Sequence, residues 1–350
     1  MDNIVKKERN LNVDRIRGLA MLLVVLGHTL TGSSVNSENT LLFQVIWSLQ
    51  MPLFILISGF VTRYSKELNN GKDLFGYVKK RTISYLLPWA VWTFLIRGLV
   101  FGYSDFLNPK FIFWHMDSGY WFLFTIWTIC MIFGVSSFLS NKIANGKNQI
   151  LKIFICGIFY VIGMIALAAL GYVFGLSFLC IKLTLYYMPF YFLGHIYGKF
   201  YDELKSKPYF KTLTEIVICA CFVIWIVLIK RFNLYAIEDS VPGILLRAIA
   251  SLTGCIAICG LLPKLFDSLK SNNKIASVLH WCGVYSLDVY LIHGLVLNMV
   301  TLADKPRLTT VNGFILVLVN FILTVVITSV VSMLLNKNKY LKLFILGKTK

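Results

Sequence analysis

Long apolar runs of about twenty residues recur along the whole chain and alternate with short polar segments. A membrane-spanning helix needs about 20 apolar residues, because each residue adds about 1.5 Å across a hydrocarbon core about 30 Å thick. A β-barrel would instead show short segments of alternating polarity. The pattern therefore predicts an all-α polytopic membrane protein with about ten transmembrane helices. The predicted spans are residues 15–34, 41–62, 82–102, 119–140, 150–170, 178–200, 213–230, 243–263, 284–302 and 311–335.

Composition and charge agree with this class of protein. Hydrophobic residues make up 57% of the 350-residue chain and charged residues 14%, against about 25% charged in soluble domains. A net charge of +18 would also suit a nucleic-acid partner, but 26 of the 34 Lys and Arg residues fall on one side of the predicted spans and six on the other. Basic residues in short loops mark the cytoplasmic side. We therefore expect cytoplasmic termini, a lipid bilayer rather than nucleic acid as the partner, and one membrane domain over residues 1–350.

The cysteines point to neither disulfides nor a metal site. None of them forms a Cys-x-x-Cys pair, and almost all lie in apolar segments, where free cysteine behaves as a small hydrophobic residue. We therefore expect no metal cofactor. The eight cysteines are Cys130, Cys156, Cys180, Cys219, Cys221, Cys255, Cys259 and Cys282.

The first span carries an ionisable pair. Arg17 and His28 are 11 residues apart, which on a helix is about 20° past three full turns, so both side chains share one face. If Arg17 lies at the cytoplasmic boundary, a rise of about 16.5 Å places His28 near the middle of the bilayer. Imidazole can act as a general base near neutral pH. A buried histidine bonded to a neighbouring carbonyl explains His28 equally well.

The ninth span carries a second histidine. Ser286 and His293 are seven residues apart on one face, and Tyr290 lies three residues before His293. Ionisable residues inside a membrane cost about 2–3 kcal/mol or more to insert, so each is a functional candidate. A second intramembrane histidine beside a tyrosine makes a purely structural explanation of both histidines less satisfactory.

Three further features have a functional and a structural interpretation. Pro52 breaks the second span before Ser58, as in helices that line a cavity or in an ordinary proline kink. The basic run Lys79, Lys80 and Arg81 can bind phosphates or simply orient the chain. Trp121 can stack on a sugar ring or belong to the interfacial aromatic belt.

Taken in order, these segments resemble the acyltransferase family 3 membrane proteins, especially the fucose 4-O-acetylase-like or polysaccharide O-acetyltransferase branch. The resemblance extends over about 280 residues, and therefore over essentially the whole chain. The matching motifs are Asp14-x-x-Arg17-Gly18, Arg17-x10-His28, QMPLFILISGF from Gln50, the basic run followed by Pro88, GYWFL from Gly119, PFYFLG from Pro189 and SLDVYLIH from Ser286.

The resemblance implies an enzyme of the bacterial cytoplasmic membrane. Family members move an acyl group, usually acetyl, from cytoplasmic acyl-CoA to a hydroxyl of a surface or exported carbohydrate. The acceptor classes are O-antigen, capsule, exopolysaccharide or a lipid-linked precursor. His28 would be the general base or a transient acyl carrier, and Arg17 would orient the thioester or keep the surroundings of His28 polar.

The resemblance also implies roles for the other candidates. Lys79, Lys80 and Arg81 would hold the phosphates of acetyl-CoA. Asp14, Ser58, Trp121, Tyr290 and His293 would line the cavity for the substrates.

The sequence departs from the family pattern in two places. Many members carry an arginine three residues after the one at position 81, where this chain has Ser84, so Lys79 or Lys80 would substitute for it. Some members also carry an extracytoplasmic hydrolase-like domain that these residues do not contain, so we expect this protein to act alone or with a separate partner. A proton-coupled secondary transporter and a non-catalytic partner in polysaccharide assembly remain the alternatives.

Overall fold

A computed structural model describes residues 10–101, 108–116, 119–144, 148–268 and 273–349. It is 82% helical, and the described residues contain no strand. Several basic residues counted above, such as Lys6, Lys7 and Arg9, lie outside these ranges. The helices are α1 (Leu11–Ser33), α2 (Leu41–Phe60), α3 (Gly71–Val100), α4 (Pro109–Trp114), α5 (Trp121–Ile143), α6 (Gln149–Phe174), α7 (Ile181–Lys205), α8 (Phe210–Arg231), α9 (Val241–Ser268), α10 (Lys274–Val284), α11 (Ser286–His293), α12 (Val311–Lys337) and α13 (Lys339–Phe344).

The helices confirm the predicted class, a polytopic helical membrane protein. Eight of the described helices are long and apolar enough to cross a membrane, namely α1, α2, α3, α5, α6, α8, α9 and α12. The pair α10 and α11 adds a ninth span if its two bent parts are counted together. Helix α7 corresponds to the predicted span 178–200 and has 25 residues. It is less apolar because it carries Lys182, Lys199 and a charged last turn. Cytoplasmic termini and a single domain over residues 1–350 stay predictions.

The ninth predicted span, residues 284–302, needs correction. Instead of one helix, the structure has α10 and α11 meeting at Tyr285 with a bend of 78°. Helix α11 ends at His293, and the chain from Gly294 to Thr310 is irregular. Within this segment Asn298 adopts a left-handed backbone with φ 53°. The backbone N–H groups of this segment donate to turns, as Val296 does to His293, or to side chains, as Val300 does to Asn320. An apolar composition alone therefore did not predict the conformation of the segment.

The chain divides into two compact units. The first comprises residues 10–57 and 202–330 among those described. Within it, α1 and α10 cross at very close range: Gly18 lies against the carbonyl of Leu279, and Gly283 lies against the carbonyl of Asp14. Small residues allow two helix backbones to approach in this way. Apolar side chains from α1, α2 and α12 fill the other side of α1, as in the buried cluster of Leu30, Ile46 and Val317.

The second unit comprises residues 58–201 and 331–349 among those described. Helix α3 belongs to it and contains two π-helical stretches, Thr82–Leu86 and Val91–Ile96. Pro88 lies between them and has no N–H to donate, which favours a local widening of the helix. The carboxyl-terminal segment packs on the same helix, since the Trp92 indole N–H donates to the carbonyl of Ile345 at 2.8 Å.

Candidate active site

Helix α1 presents His28 at an unusual position. Both neighbours in sequence, Gly27 and Thr29, are buried, whereas the His28 side chain is exposed. An exposed imidazole on a membrane-spanning helix is costly unless it has a polar role, so His28 remains a functional candidate. The helix begins at Leu11 and ends at Ser33. His28 therefore lies about 7.5 Å from its carboxyl-terminal end, and its mid-membrane position stays a prediction.

The structure brings the two intramembrane histidines together. The ring centroids of His28 and His293 are 5.4 Å apart, with the ring planes inclined by 35°. The Tyr290 ring lies 5.9 Å from that of His293, as their spacing predicts. His293 and Tyr290 are both buried. Each histidine was a candidate by itself, and their contact is the feature that the sequence did not predict.

A backbone hydrogen bond determines which nitrogen of His293 carries the proton. Its Nδ1 lies 2.9 Å from the carbonyl oxygen of Val289, one turn earlier in α11. A carbonyl oxygen only accepts hydrogen bonds, so Nδ1–H of His293 is the donor. In the neutral ring Nε2 is then the nitrogen with a free lone pair. The bond also fixes the orientation of the ring beside His28.

Asp14 and Arg17 lie nearer the beginning of α1. The Asp14 side chain is buried, and its Oδ2 lies 3.6 Å from Nδ1 of His280 on α10. The Arg17 guanidinium carbon lies 5.9 Å from the centre of the Phe54 ring. Arg17 is separated from His28 by about 16.5 Å along the helix. Asp14 thus belongs to the α1–α10 contact region, whereas Arg17 lies against α2. His280 is a neighbour of Asp14 that the sequence did not indicate.

The three residues of the basic run have different environments. Lys79 and Lys80 are exposed. Arg81 is partly buried, and its guanidinium carbon lies 5.2 Å from the Tyr77 ring centre and 5.9 Å from that of Tyr85. Cation–π contacts of this kind hold an arginine in place while leaving N–H groups that can donate. Of the three, Arg81 is therefore the most defined candidate for an anion contact.

Ser58 and Trp121 belong to the second unit, whereas both site histidines belong to the first. Ser58 is buried. Trp121 is the first residue of α5 and stacks on Tyr187 with centroids 5.8 Å apart and planes within 15° of parallel. That these two residues share a substrate cavity with His28 stays a prediction.

The cysteines and other possible metal ligands are spread over several helices. All eight cysteines are free thiols, and five of them are buried. Among the described residues, no group of three or more His, Cys, Asp or Glu side chains could hold a metal ion.

Comparison with known proteins identifies this helical membrane protein as a membrane acyltransferase. The profile of acyltransferase family 3, described as "Acyltransferase domain", matches residues 10–335. The chain belongs to this family.

One relative carries a functional name. The chain is 25% identical over 323 residues to "Nodulation protein NolL" of Sinorhizobium fredii (strain NBRC 101917 / NGR234), an alignment that covers 86% of this chain and 81% of that protein. No solved structure matches the chain.

Proposed function

We propose that this membrane acyltransferase moves an acetyl group from cytoplasmic acetyl-CoA to a hydroxyl of a cell-surface or exported carbohydrate in a bacterial cytoplasmic membrane. The observation that carries the proposal is the contact between His28 and His293, 5.4 Å between ring centroids. The His28 imidazole, when neutral, is suited to accept a proton from an alcohol. Family membership supplies the class of reaction, acyl transfer.

In the proposed reaction, His28 removes the proton of the acceptor hydroxyl as that oxygen attacks the thioester carbonyl carbon. The new C–O bond forms, the C–S bond breaks, and the proton on His28 passes to the leaving CoA thiolate. Atoms and charges balance without a metal or redox step. His293, held by its bond to Val289, provides a fixed polar neighbour for the imidazolium that His28 becomes.

The donor is proposed to bind through cations. CoA carries several phosphate charges, and Arg81 is the partly buried cation of the basic run, held between Tyr77 and Tyr85. Lys79 and Lys80 are exposed and would attract the anion at longer range. Arg17, on the same face of α1 as His28, would orient the pantetheine end that carries the thioester.

The acceptor is proposed to be a carbohydrate. Trp121 presents a half-buried aromatic ring backed by Tyr187, and rigid aromatic faces suit the apolar faces of sugar rings. The acceptor classes are those of surface glycans: O-antigen, capsule, exopolysaccharide or a lipid-linked precursor. A separate protein of polysaccharide assembly is a further proposed partner.

The test is acetyl transfer from radiolabelled acetyl-CoA to glycan in membranes that carry each variant at matched amounts. His28→Ala should lower transfer about a hundredfold or more, the usual contribution of a general base. His293→Ala should cause a smaller loss, because His293 acts through His28. His115→Ala is the matched control, since His115 is an exposed histidine with no role in the proposed reaction. Normal transfer by a correctly inserted His28→Ala protein would refute the assignment.

A secondary transporter would also use a broken span and intramembrane histidines. Uptake of solute by proteoliposomes that lack acyl-CoA would favour that alternative. A non-catalytic assembly partner would tolerate loss of both Arg17 and His28.

A further inference from the structure

The second unit contains a cavity of about 260 Å³ that the proposed chemistry does not use. It is bounded by the end of α2, the beginning of α3, the end of α5, the beginning of α6 and the end of α7. In the predicted topology all five helix ends lie at the cytoplasmic side. Its floor is formed by the buried side chains of Phe133, Cys156 and His195.

The rim of the cavity carries more positive than negative charge. Lys152 and Lys199 each place their ammonium nitrogen 4.0 Å from the carboxylate of Glu67, at the outer limit of an ion pair. One carboxylate cannot neutralise two ammonium groups. Lys66 also lines the cavity and pairs at 2.7 Å with Asp73. The two lysine side chains are 26% and 31% exposed, so both are partly withdrawn from water, where a charge acts more strongly.

The polar part of the floor, at His195, has a fixed geometry. The Thr62 hydroxyl donates to the carbonyl of Gly59 at 2.7 Å. Its single proton is used there, so the Thr62 oxygen accepts from Nδ1–H of His195, also at 2.7 Å. The imidazole is thereby held in one orientation. The walls are held as well: the Asn141 amide donates to the carbonyl of Leu68 at 3.2 Å.

The cavity also adjoins the arginine of the basic run. Tyr77 lines it, and the same Tyr77 ring lies beneath the Arg81 guanidinium. Arg81 thus packs on a side chain that also borders the cavity.

We infer that this cavity binds the phosphoryl groups of an anionic ligand through Lys152 and Lys199. Ammonium groups bind phosphate as compact charges with several N–H donors. The volume is below the roughly 300–1,000 Å³ of sites that enclose a drug-sized ligand, so the cavity holds a phosphate portion while the rest of the molecule lies outside. If that molecule is acyl-CoA, the inference rests on the proposed function and adds two lysines to the donor site.

The direct test is calorimetric binding of pyrophosphate to the purified full chain. The double variant Lys152→Gln/Lys199→Gln should bind pyrophosphate at least tenfold more weakly than wild type and show a shallower dependence on salt. Lys205→Gln is the matched control, because Lys205 lies on α7 outside the cavity and is exposed. Lys152→Arg/Lys199→Arg keeps both charges and should retain binding, which separates loss of charge from loss of folding. Equal affinity in the Gln double variant and the Lys205→Gln control would overturn the inference.

A competition experiment distinguishes the sources of phosphate. In the wild type, acetyl-CoA should displace pyrophosphate, whereas acetyl-pantetheine, which lacks phosphates, should not. Displacement by nanodiscs of phosphatidylglycerol, but not phosphatidylcholine, would assign the cavity to a lipid headgroup. If the Gln double variant loses pyrophosphate but acetyl-CoA never competes, the anion site stands and its ligand is not acyl-CoA, while the acetyl-transfer assay above still decides whether acetyl-CoA is the donor. If wild type does not bind pyrophosphate at all, the proposed anion site is refuted.

Discussion

The crossing of α1 and α10 gives a sharp prediction about stability. Gly283 faces the carbonyl of Asp14, and Gly18 faces that of Leu279. Asp14 and Gly18 are one turn apart on α1, and Leu279 and Gly283 are one turn apart on α10. The two close approaches therefore form one crossing point. A methyl group at position 283 would meet the Asp14 carbonyl oxygen well inside contact distance. Gly283→Ala therefore forces the two helices apart.

The size of the effect follows from two opposing contributions. Replacing glycine by alanine inside a helix favours the helix by about 0.5–1 kcal/mol. Inserting one carbon into a closely packed contact costs about 1–3 kcal/mol. Gly76→Ala on α3 is the matched control, because its new methyl group meets nothing within 4 Å. Both variants gain the same helix-favouring contribution, so it cancels in the comparison. Their free energies of unfolding should therefore differ by the packing cost alone, about 1–3 kcal/mol, with Gly283→Ala the less stable.

The assay is the apparent melting temperature of each variant in detergent, followed by fluorescence-detected size-exclusion chromatography. The packing contribution corresponds to a few degrees between the variants, since 1 kcal/mol shifts the melting temperature by roughly 2–4 °C in a medium-sized protein. The double variant Gly18→Ala/Gly283→Ala should lose less than the sum of the single losses, because helices already separated by one methyl group accommodate the second. Equal melting of Gly283→Ala and Gly76→Ala, or strict additivity in the double variant, would contradict the close crossing.

Three further predictions concern the proposed chemistry and the irregular segment. Arg81→Gln should raise the KM for acetyl-CoA in steady-state assays about tenfold or more, with little change from Lys79→Gln alone. The transfer rate should rise about tenfold per pH unit on the acidic side and then level off, because only neutral His28 can accept a proton; rates measured from pH 5 to 9 check this. Asn320→Leu should lower the melting temperature in the same chromatographic assay. It breaks two hydrogen bonds with the backbone of Val300, at 2.8 and 2.9 Å, and leaving such groups unpaired costs about 1–3 kcal/mol each.

Most of the helices could be predicted because a bilayer imposes one length and one composition on every span. The periodicity of a single helix likewise placed Arg17 and His28 on one face. Periodicity says nothing about which faces of different helices meet. The contact of His28 with His293 and that of Asp14 with His280 therefore had to come from the structure.

The different environments within the basic run show a second limit of sequence reasoning. Lys79, Lys80 and Arg81 are adjacent and equally basic, yet only Arg81 packs between two tyrosines. Successive residues on a helix point about 100° apart, so three neighbours cannot all face one ligand. The lysines of the cavity, Lys152 and Lys199, come from the opposite ends of two different helices and form no sequence motif.

Helix α11 ends at His293 although the chain after it is still apolar, and side-chain hydrogen bonds hold the irregular segment that follows. Non-helical backbone at membrane depth is tolerated where protein side chains satisfy it or where it lines a cavity. Here Asn320, buried on α12, both accepts from and donates to the backbone of Val300 and also donates to Ser33 at 3.0 Å. Ser33 in turn donates to Asn298 at 2.7 Å. These bonds hold the segment against α1, the helix that carries His28. They thereby fix the end of α11, where His293 lies beside His28. The break in the ninth span is thus part of what holds the histidine pair in place.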